Sequence, residues 1–147
     1  MLKFIFLTQQ FYIDYKSCYE IEQKQNRPYI MVLATISNID FAIPLRSHIK
    51  HDNVLWTDKA NRCGLDFSKA VVIVDKLKYI DYSTAPVIRQ NEFNSLRGKE
   101  YIVKSKMESY LNKYIKAYNK QEVPRNKRFC NFSTLQYFHK ELGIKNL

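Results

Sequence analysis

"YIMVLATISNIDFAIPLRSHIKH", residues 29–51, holds two apolar runs, Tyr29 to Ser37 and Phe41 to Leu45, on either side of Ser37-Asn38-Ile39-Asp40. That polar spacer is short enough for a hairpin, so the two runs are expected as antiparallel neighbours in a sheet. Leu45 then delivers Ser47, His48, Lys50 and His51 to the sheet's rim. Four polar residues directly after a strand that needs burial call for an explanation.

Outward from this hairpin, apolar patterning predicts further strands at about residues 3 to 8 and from Ala70 to Val74. The stretch from Asp52 to Lys69, with Trp56 and Gly64, has no strong periodicity and is expected as loop. In the second half, Val103, Met107, Tyr110, Leu111, Tyr114, Ile115 and Tyr118 follow the three-four spacing of one helix face. Pro124 is expected to end that helical region, Arg125 to Arg128 to form a basic connection, and Ser133-Thr134-Leu135-Gln136 to start another helix with capping-box spacing. Gly143 should stop it. Strands first and helices later argue for an α+β fold, a strongly twisted antiparallel sheet with helices on one face. No repeat, low-complexity tract or linker divides the chain, so residues 1–147 are expected as one domain.

Composition narrows the function. The 147 residues carry 24 Lys plus Arg against 14 Asp plus Glu, a net charge of +10 that favours polyanionic partners. Between Arg97 and Arg128 ten basic residues face three acidic ones, a local excess of seven. Lys106, Lys113, Lys116 and Lys120 fall off the apolar stripe, and Arg125, Lys127 and Arg128 follow. A solvated helix face accounts for such a run equally well. The 11 Tyr and 9 Phe add stacking surface of the kind that proteins of single-stranded RNA combine with basic grooves. Three cysteines without C-x-x-C spacing give neither a zinc signature nor a disulfide framework, which fits a reducing cytoplasm. The apolar run Phe4-Ile5-Phe6-Leu7 is shorter than the roughly 7–15 residues of a signal-peptide core.

Several chemistries could draw on the rim residues. His48 and His51 supply two metal ligands with no third marked by spacing, so no metal or other cofactor is expected. No G-x-S-x-G elbow surrounds Ser47, and with three glycines a phosphate-cradling nucleotide loop is not expected. Metal-free RNA cleavage needs a base for the ribose 2′-hydroxyl, an acid for the leaving 5′-oxygen, and cations or donors around the phosphorane. Histidine, lysine, serine and tyrosine can supply these, and Lys50 and Arg27 can offset phosphate charge. A solvated loop is the alternative for the same tetrad.

The segments "FYIDY" (11–15), "RPYIMVL" (27–33), "AIPLRS" (42–47), "SLRGKEY" (95–101) and "CNFSTL" (130–135) together resemble the ToxN/AbiQ family, endoribonuclease toxins of type III toxin-antitoxin systems, and the short length is similar to its CptN branch. The resemblance implies a compact twisted antiparallel sheet with flanking helices, related in shape to MazF-like toxins. It also implies metal-independent RNA cleavage leaving a 2′,3′-cyclic phosphate. The implied partners are cellular or phage RNA substrates and an antitoxin small RNA of pseudoknot repeats, in a closed cyclic protein–RNA assembly away from membranes. Carried onto this chain, Tyr12 matches the tyrosine of the family's Tyr-Ile-x-Tyr motif, Arg27 its basic residue before the second strand, and Ser47 the serine of Pro-Leu-x-Ser. Some members place a lysine two residues after that serine, where this chain has Ile49; Lys50 is its displaced counterpart, with His48 or His51 sharing the role. Arg46 is expected at a phosphate, and Asn131 and Ser133 either shape the site or start a helix. A basic RNA-binding module without catalysis remains the other reading.

Overall fold

A computed structural model describes residues 1–21 and 29–145. The chain is α+β, with an antiparallel sheet of seven strands and six α-helices among the described residues. The hairpin lies where the pattern puts it: β2 (Met31–Ile36) and β3 (Ile39–Arg46) pair in register from Met31 opposite Pro44 to Ile36 opposite Ile39. Ser37 and Asn38 turn the chain with φ of 50° and 65°. Two successive positive φ values are those of a type I′ turn, whose twist suits the flanking strands. β1 (Lys3–Leu7) lies on the far side of β2.

β3 organises the rest of the sheet. Its first half, at Phe41 and Ala42, pairs with β6 (Val71–Val72), so the expected strand at 70–74 is only two residues long. Its last residues, Leu45 and Arg46, pair with Leu65 and Gly64 of β5 (Cys63–Asp66), which pairs in turn with β4 (Val54–Asp58). The loop expected between Asp52 and Lys69 is therefore a hairpin. Both strands are short, a bulge between Trp56 and Asp58 breaks their alternation, and a buried aspartate ends β5. Gly64 is required there, since a Cβ would lie 2.4 Å from the carbonyl oxygen of Leu55.

Three helices carry no clear mark in the sequence pattern. α1 (Gln9–Asp14) starts at Thr8, whose hydroxyl accepts from the Phe11 N–H, and it buries Phe11 and Tyr12. α2 (Lys76–Tyr79) leads into β7 (Ile80–Asp81), which pairs with β1, and α3 (Gln90–Leu96) packs beside β4. α4 (Glu100–Tyr118) is the expected long helix, burying Val103, Met107, Tyr110, Tyr114 and Ala117 against β2 and α5.

The expected basic connection is itself helical. α5 spans Pro124–Phe132 with Pro124 in its first turn, where a missing N–H costs nothing and the fixed φ suits a helix. Ser133 accepts from the Leu135 N–H, but it opens a 3₁₀ turn over Thr134–Tyr137. Gln136 does not return to the cap N–H; its amide donates to the carbonyls of Asn131 and Ser133. α6 (His139–Leu142) follows and stops at Gly143, whose φ of 68° makes it the expected left-handed cap. One apolar cluster runs through these elements from Ile5 to Phe138. No described helix is long and apolar enough to cross a membrane.

Candidate nucleic-acid interface

Beyond Arg46 the chain leaves the sheet, and the rim tetrad divides in two. Ser47, His48 and Lys50 are exposed, with His48 in the left-handed region at φ 56°, while Ile49 is buried as a plug. Arg62 staples this loop: its carbonyl accepts from the Ile49 N–H at 3.1 Å, and its guanidinium donates to the carbonyls of Ile49 and His51. The same guanidinium lies over the Trp56 ring. Among the described residues no hydrogen bond holds the Ser47 hydroxyl, and no helix starts after it.

His51 turns inward. Its Nδ1 accepts from the Asn53 N–H at 3.1 Å, which leaves the ring proton on Nε2, facing Asp66 at 3.2 Å and Ser68 Oγ at 3.1 Å. Arg46 Nη1 donates to Asp66 Oδ2 at 2.5 Å, and the Ser68 hydroxyl donates to Oδ1 at 2.6 Å. Burial alone would raise the Asp66 carboxyl, but bonds from His51, Ser68 and Arg46 outweigh it and hold the group below the ordinary aspartate range. Ser68, His51 and Asp66 match a hydrolase triad in composition but not in connection. Serine and aspartate share one ring nitrogen, and Ser68 is buried with its proton on the carboxylate. A triad needs the acid at Nδ1 and the serine at Nε2. This cluster braces the loop.

Ser47 opens onto a cavity of about 290 Å³ lined also by Tyr29, Arg46, Cys63, Arg89 and Glu92. Tyr12 lies elsewhere, 6% exposed, beside a small void of about 10 Å³ that it shares with Tyr29, Pro44 and Lys69. Tyr29 borders both spaces. Burial, with a smaller contribution from Tyr29, pushes the Tyr12 phenol up to about 12, so it stays a neutral proton donor near pH 7. Lys69 is buried, donating to the Phe132 carbonyl at 3.2 Å and lying 3.9 Å from the centre of that ring. Arg27 falls outside the described residues.

Between α4 and α5 runs a groove of about 950 Å³ lined by Lys113, Lys116, Lys120 and Arg125, with Asn126 and Phe129. Four of the seven basic residues expected at RNA in this region thus share one surface. Lys106 lies two turns earlier on the same helix, and Lys127 and Arg128 are exposed on α5; none of the three lines the groove. Lys113 Nζ donates to Asn53 Oδ1 at 2.9 Å, joining the groove to the loop of Ser47. Asn131 is exposed, whereas Ser133 is buried and takes a hydrogen bond from Tyr110.

Asp66, Ser68, Arg62, Arg89 and Glu92 do not stand out in the sequence. Only Asp66-Phe67-Ser68 carries a local signal, an aspartate two residues before a serine, the spacing of an Asx turn. The others depend on a hairpin that the sequence does not announce. No family model, curated protein or solved structure matches the chain.

Proposed function

We propose that the protein is a cytoplasmic, metal-independent endoribonuclease toxin with a MazF-like core, similar to the ToxN/AbiQ family and held inactive by a pseudoknot-repeat antitoxin RNA in a closed assembly. The observation that carries this reading is the join between two surfaces. A four-cation groove suited to RNA phosphates is hydrogen-bonded through Lys113 and Asn53 to the loop that displays Ser47, His48 and Lys50. In the reaction the ribose 2′-oxygen attacks phosphorus, its proton passes to a base, and the P–O5′ bond breaks as the 5′-oxygen takes up a proton. His48 is the imidazole on the exposed side of the loop and serves one of these transfers. Ser47 donates to a nonbridging oxygen, while Lys50 and Arg89 offset the phosphorane charge.

One observation favours a binding module without catalysis: both nitrogens of His51 are engaged inside the protein and Tyr12 is buried, leaving fewer proton carriers at the surface than the family resemblance implies. Ser47→Ala separates the readings. Loss of a transition-state donor should slow single-turnover cleavage by roughly 100- to 1,000-fold. Melting temperature and RNA affinity should hold, because the hydroxyl is exposed and caps nothing. Binding by both proteins with cleavage by neither would leave the binding module.

A further inference from the structure

The cavity beside Ser47 has a shape and charge pattern that phosphate binding alone does not explain. Two arginines, Arg46 and Arg89, border it, yet a carboxylate, Glu92, lines it as well. A pocket meant only for phosphate gains nothing from an anion. Glu92 is also held in place: its Oε2 accepts from Thr57 Oγ1 at 2.9 Å, and Ser95, one helical turn on, donates to the Thr57 carbonyl at 2.8 Å. Both bonds pin α3 to β4, so the carboxylate enters the cavity from a fixed frame. An ionised carboxylate offers about four lone-pair sites, and the Thr57 bond leaves capacity for two more donors.

Resting on the RNA reading above, we infer that this cavity is a nucleobase subsite selective for guanine, with Glu92 as the residue that reads the base. Guanine is the one RNA base whose Watson–Crick edge presents two adjacent donors, N1–H and the N2 amine, which a carboxylate accepts side by side. Adenine and cytosine place a ring acceptor next to their amine, and uracil flanks its single donor with two carbonyls. Each of these sets a lone pair against Glu92. At about 290 Å³ the cavity falls just below the roughly 300–1,000 Å³ of pockets for drug-sized ligands, a size for one base rather than a longer segment. Tyr29 and Ile88 also line the cavity, an aromatic and an apolar residue of the kinds that hold a base. With the base seated there, its phosphate lies toward Ser47 and Arg46 at the rim.

The test uses four short fluorescein-labelled oligonucleotides that differ in one central base and carry 2′-O-methyl riboses, so that no cleavage can occur. Affinities are measured by anisotropy on the full chain. The guanine oligonucleotide should bind more tightly than the other three by roughly 5- to 150-fold, the range of a good bidentate base contact. Glu92→Gln, which keeps an acceptor for Thr57 but turns one arm into a donor, should bring that ratio close to one. Because the ratio is taken within one preparation, a smaller folded fraction of the variant does not move it. Equal affinity of the wild type for all four bases, or unchanged selectivity in Glu92→Gln, overturns the guanine subsite while leaving RNA binding standing. Failure to bind any of the four overturns the subsite and the RNA reading together.

Discussion

Lys113 on α4 donates from Nζ to Oδ1 of Asn53 at 2.9 Å, and the backbone N–H of that same Asn53 donates to Nδ1 of His51. One asparagine therefore links the wall of the cationic groove to the braced side of the loop that carries Ser47. The Lys113 bond is solvent-exposed and worth little as stability, so its consequence is geometric. In the proposed reading, this link would set where RNA along α4 lies relative to Ser47.

Charge reversal tests the groove. Lys116→Glu with Lys120→Glu should weaken RNA binding and lower the slope of log affinity against log salt by about 0.7 for each phosphate that is no longer neutralised, the value for single strands. Lys3→Glu, an exposed site on β1 away from the groove, should leave the slope unchanged. Both proteins should keep their melting temperature because all three lysines are exposed.

Asp66 should set part of the acid stability. Its carboxyl titrates lower in the folded protein than the ordinary value of about 3.9, so its stabilisation is fully present above that value. It is lost as pH falls through the lower folded value. Asp66→Asn leaves Arg46 without its buried counter-charge and should cost about 3–5 kcal/mol at pH 7 in urea unfolding. The gap to wild type should close progressively below about pH 4. A gap that stays constant through the acid range would mean that the carboxylate's charge is not what the cluster uses.

The parts legible in the sequence are those fixed by local pattern. The β2–β3 hairpin follows from two apolar runs about a short polar turn, and α4 from its three-four stripe. The same local rules fail at Pro124, where the residue that ends one helix region also suits the first turn of the next. β4 and β5 are hidden because both are short, a bulge between Trp56 and Asp58 breaks their alternation, and only β5 pairs with β3. That omission propagates to the site. Without β5 nothing places Asp66 under His51, so an inward-facing histidine and its exposed rim neighbours read alike as one polar tetrad.

Gly64 is a sharp test of the hidden hairpin. An added methyl would meet Val54 Cγ1 at 2.7 Å and the Leu55 carbonyl oxygen at 2.4 Å, and the latter is backbone that cannot yield without moving β4. Gly64→Ala should destabilise by about 1–3 kcal/mol, a fall of roughly 2–4 °C in Tm for each kcal/mol. Gly98→Ala meets nothing within 4 Å, so its cost is confined to the strain of its positive φ.

End-group analysis of RNA incubated with the purified protein in excess EDTA tests metal-free cleavage by the 2′-oxygen. Cleavage should proceed at nearly the same rate as without chelator, and the upstream fragments should end in a 2′,3′-cyclic phosphate or its 3′-phosphate hydrolysis product. Strict dependence on Mg²⁺ with 3′-hydroxyl ends would contradict the account, since the 2′-oxygen would then not be the nucleophile.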